Sequence, residues 1–283
     1  MLPTYIDFVN STKKIFPFYF MIVTLMKKKI VTSLFLCLTI AFASYGQGKS
    51  YAYKDGKDAM NGYLAKSKTS KPNVPGILIL PAWMGVNEHS NHSADLLSAL
   101  GYHALVADIY GEGNNPKNMT EASTLSSYYK NNPAIYQHRI KVAMDELIKQ
   151  GADPKNIVVM GYCFGGTGAI ETARANFPVK GVVSFHGGLG KDTTRLNGPI
   201  APRILVLHGA DDPYVPANQV SNFQKEMRDG KADWQMIYYA NAVHAFTEKA
   251  AGNDNTKGAA YNELAAERSW EHFQLFLKDL FEK

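Results

Sequence analysis

Cysteine is scarce in this 283-residue chain, which contains only Cys37 and Cys163. Cys37 lies in a short apolar run over residues 30–43, which follows three lysines at residues 27–29 and ends in small residues. A basic start, a short apolar core and a small-residue end predict a signal peptide over residues 26–46. Its removal leaves Cys163 as the sole thiol, so no disulfide can form within the mature chain.

The sequence also lacks a hydrophobic run long enough for a membrane anchor. The apolar run of the predicted signal is shorter than the roughly 20 residues that a bilayer span needs. Residues 1–25 precede this signal and are predicted to be a misassigned upstream segment, with Met26 as the true start. We therefore expect an exported protein, periplasmic or secreted, without stable membrane association.

An excess of charge of one sign is missing from the exported part. The whole chain has 30 basic and 25 acidic residues, but residues 1–46 contain five lysines and one aspartate. The remainder is nearly neutral and has no clustered Lys/Arg stripe, which argues against a nucleic-acid partner. No His, Cys and acidic residues occur at metal-ligand spacing, and no glycine pattern matches a dinucleotide motif. We therefore expect neither a metal nor a cofactor.

Short apolar strands alternate with helical segments along the rest of the chain. The sequence contains no internal repeat. Strands are predicted over residues 61–67, 76–82, 103–110, 156–162, 179–187, 203–211 and 234–240. Helices are predicted over residues 91–102, 133–151, 167–173, 217–227 and 261–281, and the segment between the strand ending at 110 and the helix beginning at 133 is predicted to be a polar loop. This alternation predicts a single α/β domain over residues 47–283, with a mostly parallel sheet flanked by helices on both faces. Ligands bind at the carboxyl ends of such strands, so the residues after each strand are the candidates for a site.

The strand at residues 156–162 leads into a cysteine flanked by glycines. Gly161, Cys163 and Gly165 match the G-x-nucleophile-x-G pattern of a sharp strand-to-helix turn, which leaves no room for side chains at the two glycines. Such a turn exposes the nucleophile above the sheet, and the helix N-terminus behind it favours a thiolate. The pattern predicts a nucleophile elbow. The alternative is a glycine-rich turn that holds a buried, inert cysteine.

An acid and a histidine follow this cysteine in the chain order of a catalytic triad on such a sheet. Asp211 and Asp212 come at the end of the strand over residues 203–211, and His244 follows the next strand. In this interpretation the carboxylate orients His244, which holds Cys163 as a thiolate. The alternatives are a turn-forming acid before a proline and a loop histidine.

These motifs resemble those of the dienelactone hydrolase family of α/β-hydrolases. The resemblance spans nearly all of residues 53–281 and rests on the segments PAWMGVNEH, VADIYG, GYCFGG, HGADDPYVP, VHAF and AAERSW. A cysteine in the elbow is a mark of that family. The resemblance implies an α/β-hydrolase fold and selects Asp212 rather than Asp211 as the triad acid. It also implies an oxyanion hole made by the backbone N–H groups of Trp83 and Phe164.

Three positions differ from the family pattern. Family members carry a glutamate just before the residue aligned with Trp83, where this sequence has Ala82. Glu248 replaces the arginine of the family's H-x-F-x-R run, and a second carboxylate-binding arginine, expected near Ser126, has no counterpart. We therefore do not expect an anionic dienelactone as the substrate. Glu88 is a weak candidate to replace the missing glutamate.

The remaining strand-end residues are less specific. His186 and His208 could approach the site, although a histidine at a strand end is more often a structural hydrogen-bonding group. Asp108 is expected to fix the geometry of its loop.

Taken together, the motifs predict a hydrolase of small, uncharged or weakly polar esters or lactones. Cys163 would attack the carbonyl, His244 would transfer the proton, and water would release the acid from a thioester. Acyl transfer or peptide cleavage by the same residues is one alternative. A non-catalytic exported protein that binds a ligand or responds to oxidation through its thiol is another.

Overall fold

Eight strands form one sheet in the computed structural model, which describes residues 48–282. They are β1 (Lys49–Asp55), β2 (Asp58–Ala65), β3 (Gly76–Leu80), β4 (His103–Val106), β5 (Ile157–Tyr162), β6 (Gly181–Phe185), β7 (Arg203–Gly209) and β8 (Trp234–Tyr239). Their spatial order is β1-β2-β4-β3-β5-β6-β7-β8. The β1–β2 and β2–β4 pairs are antiparallel, and all the other pairs are parallel. The prediction of a mostly parallel α/β-hydrolase sheet is therefore confirmed.

Helices cover both faces of this sheet. They are α1 (Glu88–Ala99), α2 (Met119–Asn131), α3 (Pro133–Lys149), α4 (Phe164–Arg174), α5 (Ala217–Asp229) and α6 (Glu263–Phe281). On β3, Leu78 and Leu80 belong to the core shared with α2–α5, whereas Ile77 and Ile79 belong to the core shared with α1 and α6. Successive residues of a strand point to opposite faces, and both faces are covered here, so all four residues are fully buried. A continuous apolar strand is thus the sequence signature of a sheet covered on both sides.

The parallel strands end at one edge of the sheet, and the predicted site residues follow these ends. Trp83 lies after β3, Cys163 after β5 and His186 directly after β6. Asp212 follows β7 and His244 follows β8. Residues far apart in the sequence are therefore brought to a common edge.

Two elements differ from the sequence prediction. β1 was not predicted; it is an edge strand whose residues are mostly exposed, and it turns into β2 at Gly56, where φ is 58°. α2 lies in a segment that was predicted to be a polar loop, and that prediction was wrong. α2 buries only Ala122, Ser126 and Tyr129, so it has little apolar periodicity to reveal it. Its N-terminus is instead marked by Asn118, whose side chain accepts a hydrogen bond from the N–H of Glu121.

The predicted upstream segment over residues 1–25 and the predicted signal peptide over residues 26–46 lie outside the described residues. Both stay predictions. Among residues 48–282, no helix combines the length and the apolar character needed to cross a membrane.

Candidate active site

The turn between β5 and α4 is sharp and strained. Tyr162 ends the strand, Phe164 begins the helix, and Cys163 between them has φ 52° and ψ −112°. A positive φ is unfavourable for a residue other than glycine, and such strain tends to occur at functional sites. A Cβ at Gly161 would clash with the carbonyl of Gly165, and a Cβ at Gly165 would clash with the carbonyl of Leu80. Close backbone approach on both sides therefore explains the two glycines of the motif.

Cys163, His244 and Asp212 form a continuous chain of polar contacts. The Sγ atom of Cys163 lies 3.0 Å from Nε2 of His244. Nδ1 of the same imidazole lies 2.8 Å from Oδ2 of Asp212. The other carboxylate oxygen of Asp212 accepts a hydrogen bond from the N–H of Tyr214 at 2.8 Å. The side chain of Asp212 is fully buried and pairs with His244, whereas Asp211 is exposed, so the structure distinguishes the two acids.

The electrostatics of this chain favour a protonated histidine. Burial opposes the charged form of His244, but hydrogen bonds to Asp212 and Cys163 outweigh it and raise the pKa of His244 to about 10. His244 is therefore expected to be an imidazolium at neutral pH, when its Nε2–H donates toward the sulfur. The imidazolium therefore lies beside the sulfur of Cys163, in a place to give its proton to a leaving group.

Two backbone N–H groups remain the expected oxyanion donors. Phe164 is the first residue of α4, so its N–H has no acceptor within the helix. Its ring stacks on Tyr136 at a centroid distance of 4.6 Å and on Tyr110 at 5.7 Å. Trp83 lies in the turn after β3, and its carbonyl accepts a hydrogen bond from the hydroxyl of Tyr110 at 2.9 Å. Tyr110 thus holds the two predicted donor segments together, a role that the sequence did not indicate.

Two of the less specific candidates, Glu88 and Asp108, lie in different environments. Glu88 is exposed in the first turn of α1, so its carboxylate does not replace the missing glutamate beside the thiol. Asp108 is buried, and its carboxylate accepts hydrogen bonds from the N–H groups of Asn61, Tyr110 and Gly111, so it does hold a loop in place.

His186 and His208 are both buried near His244. The ring of His186 packs edge-on against that of His244 with their centroids 5.3 Å apart, and the ring of His208 packs against Tyr238. Burial lowers the pKa of both histidines, so both are neutral at physiological pH. Nδ1 has no hydrogen-bond partner in either residue.

Two residues near His244 had no role in the sequence-based site. Tyr214 is 58% exposed, and its ring packs edge-on against the imidazole with a centroid distance of 5.3 Å. Glu248 is half-buried, and burial raises the pKa of its carboxyl while His244 lowers it. The sequence indicated Glu248 only as a departure from the family pattern, and Tyr214 carried no signal beyond its position two residues after Asp212.

A cleft of about 430 Å³ lies beside α4, and its lining does not include Cys163, Asp212 or His244. It reaches the site through Tyr214 and through Thr167, whose N–H bonds to the carbonyl of Cys163 one helical turn away. Arg195 also lines the cleft and pairs with the buried carboxylate of Glu171 at 2.9 Å. The described residues contain no group of three or more His, Cys, Asp or Glu side chains arranged to hold a metal ion.

Known proteins with similar sequences and structures share this architecture. The model of the dienelactone hydrolase family matches residues 60–281. A Salmonella typhimurium protein provisionally assigned as a carboxymethylenebutenolidase is 26% identical over 227 residues, which cover 76% of this chain and 80% of the relative. A Bradyrhizobium protein provisionally assigned as a 2-oxo-3-(5-oxofuran-2-ylidene)propanoate lactonase is 23% identical over 230 residues, which cover 76% of this chain and 88% of the relative.

Among solved structures, a dienelactone hydrolase-like promiscuous phosphotriesterase from metagenomic libraries superposes with a TM-score of 0.77. It is 33% identical, and the match covers 82% of this chain and 98% of that one. The family resemblance predicted from the motifs is therefore confirmed. This chain belongs to the dienelactone hydrolase family.

Proposed function

We propose that this protein hydrolyses small esters or lactones through a Cys163–His244–Asp212 triad and a thioester intermediate. The observation that carries the proposal is the unbroken chain of contacts from the buried carboxylate through the imidazole to the sulfur, at 2.8 and 3.0 Å. Family membership supports a hydrolase. The strained turn at Cys163 supports a functional rather than an inert cysteine.

Each step of the proposed reaction uses a residue in a defined place. The thiolate of Cys163 attacks the carbonyl carbon, and the developing oxyanion accepts hydrogen bonds from the N–H groups of Trp83 and Phe164. The C–O bond then breaks, His244 gives its Nε2 proton to the leaving alkoxide, and a thioester remains. Water attacks the thioester while His244 accepts its proton, and the acid leaves as the sulfur is restored. Asp212 keeps the imidazole oriented and stabilises its charged form.

The charges around the site favour a substrate without a carboxylate. The carboxyl of Glu248 lies near His244 at the position where family members carry an arginine. Ala82 is buried and contributes no charge, and no arginine occupies the region of Ser126 in α2. A carboxylate-bearing ester would therefore lack the arginine partners that family members supply near the nucleophile. The adjoining cleft, at about 430 Å³, falls within the range of small-molecule sites.

The same residues could also transfer an acyl group to an alcohol or cleave a peptide, and a ligand-binding protein with an oxidisable thiol is the non-catalytic alternative. The pattern of residues 26–46 supports export, so we place the activity in the periplasm or outside the cell. An oxidising compartment would expose Cys163 to sulfenic acid formation, and activity should therefore be measured on reduced protein.

A panel of p-nitrophenyl esters and lactones tests this function. We expect the reduced protein to hydrolyse short neutral esters with kcat/KM at least about tenfold above that for matched esters bearing a terminal carboxylate, a difference of about 1.4 kcal/mol. The reason is that the carboxylate-binding arginines of the family pattern are missing from this chain. Product analysis with added alcohol or amine separates hydrolysis from transfer. Turnover of no activated ester by reduced protein would contradict the proposal, and faster turnover of the anionic esters would contradict the assigned substrate class.

A further inference from the structure

A second polar chain, unused by the proposed reaction, lies behind the catalytic histidine. The hydroxyl of Thr247 is 2.8 Å from Nε2 of His186 at the end of β6. The same hydroxyl is 3.3 Å from Nε2 of His89 in α1. His186 is fully buried, and Thr247 is nearly so. A single hydroxyl therefore bridges an imidazole at the end of a strand and an imidazole in a helix.

The tautomer of His186 sets the direction of this bridge. A threonine hydroxyl has one proton to donate and two lone pairs that accept, so at least one of the two imidazoles must donate to it. Nδ1 of His186 is buried without a partner, and a buried N–H without an acceptor is rarer than a buried acceptor without a donor. We therefore assign the proton of His186 to Nε2, which donates to Thr247, and this leaves the hydroxyl proton of Thr247 free to be donated to His89.

Both histidines are suited to a neutral bridge. Burial, together with the nearby His244 and His89, lowers the pKa of His186 well below its usual value. Burial and the neighbouring His92 lower the pKa of His89 to about 4. Neither ring is charged at neutral pH, so each keeps the donor or acceptor role that the bridge requires.

The bridge is attached to the turn that carries His244. Thr247 lies three residues after His244, and between them Ala245 has φ 57°, a strained conformation for a residue with a side chain. The N–H of Glu248 closes this turn by bonding to the carbonyl of Ala245 at 2.9 Å. Phe246 is fully buried and packs against the ring of His186 at a centroid distance of 5.1 Å. Strained turns persist only where the surroundings hold them, and here the Thr247 bridge acts together with this aromatic contact and with the backbone bonds of His244 to Gly258 and Ala260.

We propose that Thr247 is a positioning residue, whose hydroxyl bridge from His186 to His89 holds the turn that aims His244 at Cys163. The inference concerns the geometry of the site, and its catalytic consequence rests on the proposed ester hydrolysis. Loss of the bridge would remove one of the contacts that hold this turn, and the aim of the imidazole at the sulfur would become less precise even though Asp212 still binds its Nδ1. A displacement of about 1 Å at a catalytic group can cost on the order of a hundredfold in rate.

The test compares Thr247→Val, which keeps the shape and removes the hydroxyl, with Thr247→Ser, which keeps the hydroxyl. The pH dependence of Cys163 alkylation by iodoacetamide reports the pairing of the thiol with His244 without requiring ester turnover. In the wild type we expect rapid alkylation that changes little through neutral pH. In Thr247→Val we expect the profile to shift toward that of an unpaired thiol, which titrates near 8.5 in peptides, and kcat/KM for a neutral ester to fall about 10- to 100-fold. Thr247→Ser should retain the wild-type profile and most of the activity.

Two further variants complete the test. The first controls for general loss of stability, and the second breaks the bridge at its other end. Thr172→Val removes another fully buried hydroxyl bond, from Thr172 to the carbonyl of Gly168 in α4, and should leave the alkylation profile unchanged. His89→Phe removes the outer acceptor of the bridge but keeps the ring contact with Tyr162, and should shift the profile in the same direction as Thr247→Val. His89→Phe also decides the question if Thr247→Val fails to fold.

An alkylation profile that is the same in Thr247→Val, or in His89→Phe, as in the wild type would overturn the proposal. Equal losses in Thr247→Ser and Thr247→Val would also overturn it. A wild type that hydrolyses no ester refutes the proposed function instead, and the alkylation profiles still decide the role of Thr247.

Discussion

Replacement of Cys163 by alanine is expected to lower ester turnover by more than about a thousandfold, because nucleophiles activated by a paired base contribute several orders of magnitude. No other thiol is available among residues 48–282 to take over the attack. The fold should persist, since alanine fits the elbow and the N–H of residue 163 still bonds to the carbonyl of Phe185. Steady-state hydrolysis of a neutral p-nitrophenyl ester and thermal unfolding measure the two effects separately.

Cys163→Ser is the matched control for this loss. Its hydroxyl preserves the size and polarity of the side chain but needs general-base activation, so we expect residual activity above that of the alanine variant and well below that of the wild type. Retention of more than about a tenth of the wild-type activity in Cys163→Ala would show that the sulfur is not the nucleophile.

Asp212→Asn is expected to lower kcat by about three to four orders of magnitude, the scale of losses seen when a triad acid is replaced by its amide. The amide removes the charge that stabilises the imidazolium, and its NH₂ group can force His244 into the wrong tautomer. Asp211→Asn, at the adjacent exposed position, is the internal control and should change kcat less than about threefold. Initial-rate measurements on a neutral ester compare the two variants.

The rate of Cys163 alkylation gives a second measurement that compares Asp212→Asn with Asp211→Asn. The bond from His244 to Asp212 is among the causes that raise the pKa of His244 to about 10, so Asp212→Asn should lower that pKa and leave less imidazolium at neutral pH. Alkylation of Cys163 at pH 7 should slow accordingly. Equal losses of kcat in the two variants, or a larger loss in Asp211→Asn, would reject Asp212 as the orienting acid.

The parts of the site that depend on local backbone geometry could be predicted from the sequence. Gly161 and Gly165 are imposed by a turn that spans five residues, so their spacing around Cys163 was visible without any tertiary information. The residues alone did not decide between Asp211 and Asp212, because both lie within three residues of the end of β7. Their difference lies in burial, which depends on how the turn packs, and only the family resemblance selected Asp212 in advance.

Features made by distant segments carried no sequence signal. Thr247 lies 61 residues from His186 and 158 residues from His89, so no local pattern connects the three. α2 was missed for a related reason, since it covers the core with small and polar residues and its apolar periodicity is weak. Propensity and pattern describe single elements, whereas these features arise from contacts between elements.

The central claim, that Cys163 is the nucleophile and forms a thioester, is tested most directly by trapping the acyl-enzyme. Wild-type protein is mixed with p-nitrophenyl acetate, quenched in acid at a series of times and mapped by mass spectrometry of its peptides. We predict one acetyl group on the peptide that contains Cys163, released by hydroxylamine and formed at the rate of the nitrophenol burst. Steady turnover with this peptide unmodified at every quench time, or with the acetyl group on another residue, would contradict the mechanism.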